Sequence, residues 1–275
     1  GQDYMKAGLF DRAEGLFREL NDNNVHLSSV LPLMLDIYQQ EKDWQNAISI
    51  AEQMGFVGEQ SARAVIAQFC CELAENARAR EDIDAALGYL EEAGKYHPHC
   101  ARARLIRASI ARQQDDCVAA LKAYAQVIEM DVDLLPVVLD DMHACHVELG
   151  TLPAMISFLR NTIPRYAGIS PVLKLADIVG EEQGEEAAAR FLAGELGLRP
   201  SVRGLSRFID FSLPGSDGAA RENLMILKNM TDQLLENKPV YACANCGFSG
   251  KTLHWNCPGC RQWNTIKPIH GVEAD

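Results

Sequence analysis

A 34-residue beat restricts the fold of this chain more than any other feature. Alanines stand at Ala13, Ala47, Ala86, Ala120, Ala154 and Ala188, at intervals of 34, 39, 34, 34 and 34 residues. The long interval is one repeat plus five added residues, which a lapse in the helical pattern places around 55–61. Four residues after the alanines come Phe17, Ala51, Leu90, Tyr124, Phe158 and Leu192, and small residues recur twelve before them at Ala74, Ala108 and Ala176. Small residues let two antiparallel helices approach closely, and the bulky one at the fourth position fills the gap to the next pair. Pro98 and Pro200 end second helices, because proline lacks an N–H and clashes with the preceding turn. A helix pair of this size cannot bury its apolar face alone, so the pairs must stack.

These units resemble the tetratricopeptide repeat in length, in small-residue positions and in the terminal proline. The expected fold is therefore an all-α solenoid of helical hairpins. We assign residues 1–200 to the repeats, the first incomplete, and 201–237 to a divergent capping hairpin. The two helices of the latter are expected at Val202–Leu213 and Gly218–Asn237, the second amphipathic through Leu224, Leu227, Met230 and Leu234 or Leu235. The resemblance implies a groove lined by the first helix of each hairpin. Residues eleven and eight before the alanines then face inward: Glu75 and Arg78, Ser109 and Arg112, His143 and His146, with Arg102 nearby. A stripe of Arg and His in an acidic body suits an acidic peptide or helix.

Residues 238–275 read as a separate module. Cys243-Ala-Asn-Cys246 and Cys257-Pro-Gly-Cys260 are two Cys-x2-Cys turns separated by ten residues. Each turn puts two thiolates on one side of a metal, and two turns face to face complete a tetrahedral all-sulfur site. Gly247 suits a left-handed turn position, Pro258 and Gly259 stiffen the second knuckle, and Val240–Ala242 with Thr252–Trp255 are the β-prone arms. So short a segment has little core of its own, and the metal must supply much of its folding free energy. The knuckles resemble those of rubredoxin with a much shorter spacer; zinc is the expected metal, with iron the alternative.

Composition narrows the function. The chain carries a formal charge of −12, and the ribbon, at +2, leaves −14 on the rest, which argues against a general nucleic-acid or membrane-surface binder. No apolar stretch is long enough for a membrane helix. The chain starts at Gly1, without Met and already inside repeat-like sequence, so it reads as a soluble piece of a longer protein whose membrane anchor, if present, precedes it. Nine cysteines with one tight cluster fit a reducing compartment better than a disulfide framework. Cys70-Cys71, adjacent on a helix, read as packing. His143-Ala-Cys145-His146 places its histidines on one face and its cysteine on another, and the Glu91-Glu92 and Glu181-Glu182 pairs read as solvated faces. No phosphate loop, nucleophile elbow or HExxH motif is present, so no enzyme is expected.

Repeats joined to such a knuckle, together with the Asp3–Glu14 segment and Thr265–Ile269, resemble the lipopolysaccharide assembly protein B family of Gram-negative bacteria. That resemblance implies a non-catalytic adaptor on the cytoplasmic face of the inner membrane. Its implied role is to promote degradation of the committed-step lipid A deacetylase by a membrane AAA+ protease, under an inner-membrane regulator that senses lipopolysaccharide. It also implies Cys243, Cys246, Cys257 and Cys260 as metal ligands, and a ribbon folded back on the repeats through Tyr241, Trp255 and Trp263. Two other readings of the ribbon stand beside it. One is a nucleic-acid binder using Lys251, Arg261 and Lys267 among Trp255 and Trp263; the other is a rubredoxin-like electron carrier.

Overall fold

The computed structural model describes residues 1–23, 27–54, 60–236 and 238–271. The five-residue insertion expected around 55–61 falls largely outside them. The chain forms two compact units, Gly1–Gln113 and Gln114–Asp275. The first holds α1 (Gln2–Lys6), α2 (Phe10–Asp22), α3 (Leu27–Glu41), α4 (Trp44–Gln53), α5 (Gln60–Ala79), α6 (Ile83–Tyr96) and α7 (Ala101–Gln113). The second holds α8 (Cys117–Met130), a 3-10 turn at Val132–Leu134, α9 (Leu135–Glu148), α10 (Leu152–Thr162), α11 (Ser170–Gln183), α12 (Glu185–Leu198), α13 (Val202–Ser212) and α14 (Gly218–Glu236). It ends in a three-stranded antiparallel sheet of β1 (Tyr241–Cys243), β2 (Ser249–Gly250) and β3 (Ile266–Pro268), with β1 in the centre. No described helix is long and apolar enough to cross a membrane.

The hairpin turns explain the beat. The residue preceding helices α2, α4, α6, α8, α10 and α12 is Leu9, Asp43, Asp82, Asp116, Thr151 and Gly184. The three aspartates accept the N–H of Asn46, Ala85 and Ala119 at 3.2, 3.0 and 2.9 Å, satisfying donors that the first helical turn leaves open. Four residues past each cap stand Ala13, Ala47, Ala86, Ala120, Met155 and Ala188, every one fully buried. The cap thus sets which residue turns inward.

This rule corrects one position. Ala154 is exposed, and Met155 with Leu159 takes the buried places expected for Ala154 and Phe158. From Ala74, Ala108 and Ala176 to the following cap is eight residues, but from Met142 to Thr151 it is nine. The turn between α9 and α10 therefore holds one extra residue, and α10 is rotated by one position.

Just before the caps, Gly8, Lys42, Glu81, Asp115 and Gly150 are left-handed, with φ of 73°, 59°, 62°, 58° and 65°. In L-residues this conformation brings Cβ against the following carbonyl, at roughly 1–2 kcal/mol, partly offset in a glycine variant by its chain entropy. Lys42→Gly, Glu81→Gly and Asp115→Gly are each expected to stabilise the chain by up to about 1 kcal/mol, read as a higher urea midpoint. Lower midpoints in all three variants would contradict this account of the turns.

The helical hairpin expected over 201–237 forms as α13 and α14, and α14 docks through only part of its expected apolar stripe. Leu227, Met230 and Leu234 are 49%, 57% and 56% exposed, whereas Thr231 is buried and Leu224, Lys228 and Leu235 are half-buried. Polar contacts with α13 select that face. Lys228 Nζ lies 2.9 Å from Asp210 Oδ2 and 2.7 Å from Ser206 Oγ, while Ser206 donates to Asp232 at 2.8 Å.

Candidate metal centre and the ribbon contacts

The ribbon is built on two turns of the same design. After Cys243 the chain reverses so that Gly247 N–H donates to the Cys243 carbonyl at 3.0 Å; after Cys257, Arg261 N–H donates to the Cys257 carbonyl at 2.8 Å. The returning residues share a left-handed conformation, with φ of 75° at Gly247 and 58° at Arg261. The first reversal is immediate, since Cys243 N–H donates to Phe248 O at 2.7 Å, so β2 is Ser249–Gly250 and not the expected Thr252–Trp255 arm. The strand on the other edge, β3, pairs Cys243 with Ile266 and Tyr241 with Pro268.

These turns bring the four thiols together. Cys243 and Cys260 Sγ are 3.7 Å apart, as are Cys246 and Cys257, and all four sulfurs lie within 4.8 Å of one another. A tetrahedral zinc–thiolate site with bonds of about 2.3 Å has sulfur–sulfur edges of about 3.8 Å, so the arrangement fits a metal of this kind. Among the described residues this is the only group of three or more His, Cys, Asp or Glu side chains close enough to share an ion. A Cβ at Gly259 would meet Cys246 Sγ at 3.2 Å and Phe248 Cβ at 3.3 Å, so the second knuckle has little room for a side chain there.

Two neighbours prepare the thiols for a cation. The hydroxyl of Thr265 lies 3.2 Å from Cys243 Sγ and, as the main cause, holds that thiol down at about 6. A hydrogen bond with the Asn245 side chain holds Cys260 below its ordinary value. Ligand thiols must be deprotonated, so both contacts favour metal binding. Spacing alone did not point to Thr265 or Asn245, since neither residue type is itself a ligand.

The ribbon meets the second unit's helices through side chains that sequence reasoning missed. Lys267 Nζ pairs with Asp131, which also caps the 3-10 turn by accepting Asp133 N–H at 3.2 Å. Next to it, His270 Nε2 lies 3.3 Å from Asp133 Oδ1, and its ring stands edge-on to Tyr166 at 5.2 Å. Tyr241 is at the junction as well, in the wall of a cleft of about 430 Å³ that Leu139, Leu173, Lys174 and Arg207 also line. Trp255 and Trp263 are half-buried; Trp263 bridges to Asn256, and the Trp255 carbonyl accepts Asn264 N–H at 2.8 Å.

The expected groove residues are placed as follows. In the first unit, Arg78 pairs with Glu75 at 2.6 Å along α5, and Ser109 and Arg112 are half-buried on α7. Arg102 is only 5% exposed and holds Glu72 at 2.8 Å and Gln68 at 3.4 Å, so it serves the interior of that unit. In the second unit, His143 and His146 are half-buried on α9, while Cys145 between them is fully buried and turned away. His146 Nδ1 is 2.8 Å from Thr151 Oγ1, and burial, helped by the His143 charge, pulls its imidazole below the ordinary value.

Comparison with known proteins finds family matches in two parts of the chain. Residues 71–131 match the tetratricopeptide repeat model, and residues 241–268 match that of a rubredoxin metal binding domain. Lipopolysaccharide assembly protein B of Escherichia coli (strain K12) is 35% identical over 275 residues, all of this chain and 71% of that protein. The protein of the same name from Haemophilus influenzae is 31% identical over 273 residues, 99% of this chain and 69% of its own length. Because relatives of that name are 31% and 35% identical over 99% and 100% of this chain, the chain belongs to the lipopolysaccharide assembly protein B family.

Proposed function

We propose that this chain is a non-catalytic adaptor in lipopolysaccharide assembly, with Cys243, Cys246, Cys257 and Cys260 holding a structural zinc ion. The observation that carries this reading is one chain in which protein-binding repeats and a four-thiol ribbon are tied by Lys267–Asp131 and His270–Asp133. Relatives bearing the assembly-protein name over the same span support it. The metal's chemistry here is to hold two knuckles together; four protein thiolates fill a tetrahedral shell and leave no place for a substrate. Residues 1–200, 201–237 and 238–275 act in this proposal as repeats, cap and ribbon. Glu75, Arg78, Ser109, Arg112, His143 and His146 offer side chains to a partner.

In the finer form of the proposal, the chain works at the cytoplasmic face of the inner membrane. It brings the committed-step lipid A deacetylase to a membrane AAA+ protease, and an inner-membrane lipopolysaccharide-sensing regulator controls it. A pull-down from detergent-solubilised envelopes tests this, comparing the intact chain with one cut before Lys238. Recovery of the protease or the deacetylase by the intact chain supports the adaptor, and loss on truncation assigns the contact to the ribbon. Recovery of neither, or of nucleic acid instead, counts against it.

A further inference from the structure

The first unit contains a second pair of thiols, far in sequence from the ribbon. Cys71 on α5 and Cys100, the residue before α7, are buried with their sulfurs 3.9 Å apart. A fixed polar network surrounds them. Gln68 Nε2 reaches Cys100 Sγ at 3.8 Å, Gln68 Oε1 accepts from Arg102 Nη1 at 3.4 Å, and Arg102 Nη2 holds Glu72 at 2.8 Å. Gln68, Cys71 and Glu72 lie on one face of α5, and Cys100 and Arg102 belong to the start of α7. The thiols therefore face each other across a defined seam.

The two sulfurs are chemically unequal. Cys100 occupies the cap position of α7, where its carbonyl accepts Arg104 N–H at 3.4 Å and its thiol takes the Ala103 N–H, as a serine hydroxyl would. The hydrogen bond from Cys71, then contacts with His97 and Ala103, push the Cys100 thiol down, while the same shared proton and burial push Cys71 up. A helix N-terminus with an imidazole beside it is an environment in which cysteines become nucleophilic. His97 also lines a cavity of about 330 Å³ with Arg63, Lys95, Tyr96, Pro98 and His99, in the stretch of chain that leads directly into Cys100. Cys70, next along α5, is the inert neighbour, its thiol pushed up to about 12 by burial.

We propose that Cys71 and Cys100 are a reversible disulfide site, oxidised by hydroperoxides and reset by dithiols. In the first step the Cys100 thiolate attacks one peroxide oxygen. An S–O bond forms, the O–O bond breaks, and the other oxygen leaves as an alkoxide or hydroxide that takes up a proton. In the second step Cys71 attacks the Cys100 sulfenic acid; the S–S bond forms, the S–O bond breaks, and hydroxide leaves with the Cys71 proton as water. The thiols together lose two electrons and two protons, and the peroxide is reduced to an alcohol or water and one further water. The sulfurs must close by about 1.9 Å to reach disulfide length, and Cys100, outside the regular helix, can turn about its Cα–Cβ bond to do so. The product staples α5 to the start of α7 across the α6 hairpin.

The test treats the full, zinc-loaded chain with a small excess of hydrogen peroxide, then denatures it, alkylates it and maps its peptides without reduction. A Cys71–Cys100 cross-link that dithiothreitol reverses is expected, forming at least about tenfold faster than any oxidation of Cys117 or Cys145. The oxidised chain should melt about 5 °C higher than the reduced one, and Cys71→Ser should abolish that shift. In Cys71→Ser, dimedone should trap Cys100 as its sulfenic acid, while Cys70→Ala should cross-link as the parent does. Full alkylation of both cysteines after peroxide overturns the proposal. So does a cross-link that survives in Cys71→Ser through Cys70, or one that forms only in denaturant.

Discussion

Stripping the metal from the four-thiol site, or replacing Cys257 by serine, is expected to unfold the ribbon while leaving most of the helical signal in place. The buried core of the ribbon consists of Cys243, Cys257 and Ile266, with Tyr241, Phe248, Leu253 and Cys260 packed against it, so three of these seven residues' own thiols are ligands. Its strands are three, two and three residues long. Neither the core nor the ladder can offset the entropy of ordering such a segment, whereas a structural zinc site contributes on the order of 10–16 kcal/mol. Cys257 is fully buried, and a serine there leaves three thiolates and a poor fourth ligand.

Two of the chain's three tryptophans, Trp255 and Trp263, sit in the ribbon, while Trp44 is stacked on Phe69 at 5.7 Å in the first unit. Near-ultraviolet dichroism should therefore fall sharply on chelation, with far-ultraviolet intensity nearly unchanged. A proportionate loss of helix would make the ribbon and the second unit one cooperative structure. No change in either signal would deny the thiols a structural metal.

The parts legible in the sequence are those whose physics is local. Two Cys-x2-Cys turns specify their geometry within a few residues, and the small residues of the hairpins recur because each turn repeats the same cap. Contacts set by distant partners were not legible. Lys267 and His270 carry no pattern, and their aspartates lie more than a hundred residues away. On α14 the apolar spacing pointed to Leu224, Leu227, Met230 and Leu234 or Leu235; Leu224 and Leu235 are half-buried, but Asp210 and Ser206 on the neighbouring helix hold Lys228 and leave Leu227, Met230 and Leu234 exposed. The β2 arm was misplaced for a related reason, because β-branched and aromatic content pointed to Thr252–Trp255 while the tight return at Gly247 pairs the chain sooner.

The slipped register in α10 gives the second large effect. Leu159→Ala is expected to cost about 2–5 kcal/mol, since its side chain is fully buried and its loss leaves a cavity that rigid neighbours fill only in part. Ala154→Leu should change stability by no more than about 0.5 kcal/mol, because the added side chain extends into solvent. The same substitution at Ala120, which keeps the beat and is fully buried, should cost about 1–3 kcal/mol or more by overpacking α8. If the 34-residue beat itself governed burial, Ala154→Leu and Ala120→Leu would be equally damaging. Urea midpoints of the three variants separate these cases, and hydrogen exchange across 135–183 locates the loss. Equal damage from the two alanine variants would return Ala154 to the interior and remove the extra turn residue, and with it the rule that the cap, not the alanine, sets each hairpin's inward face.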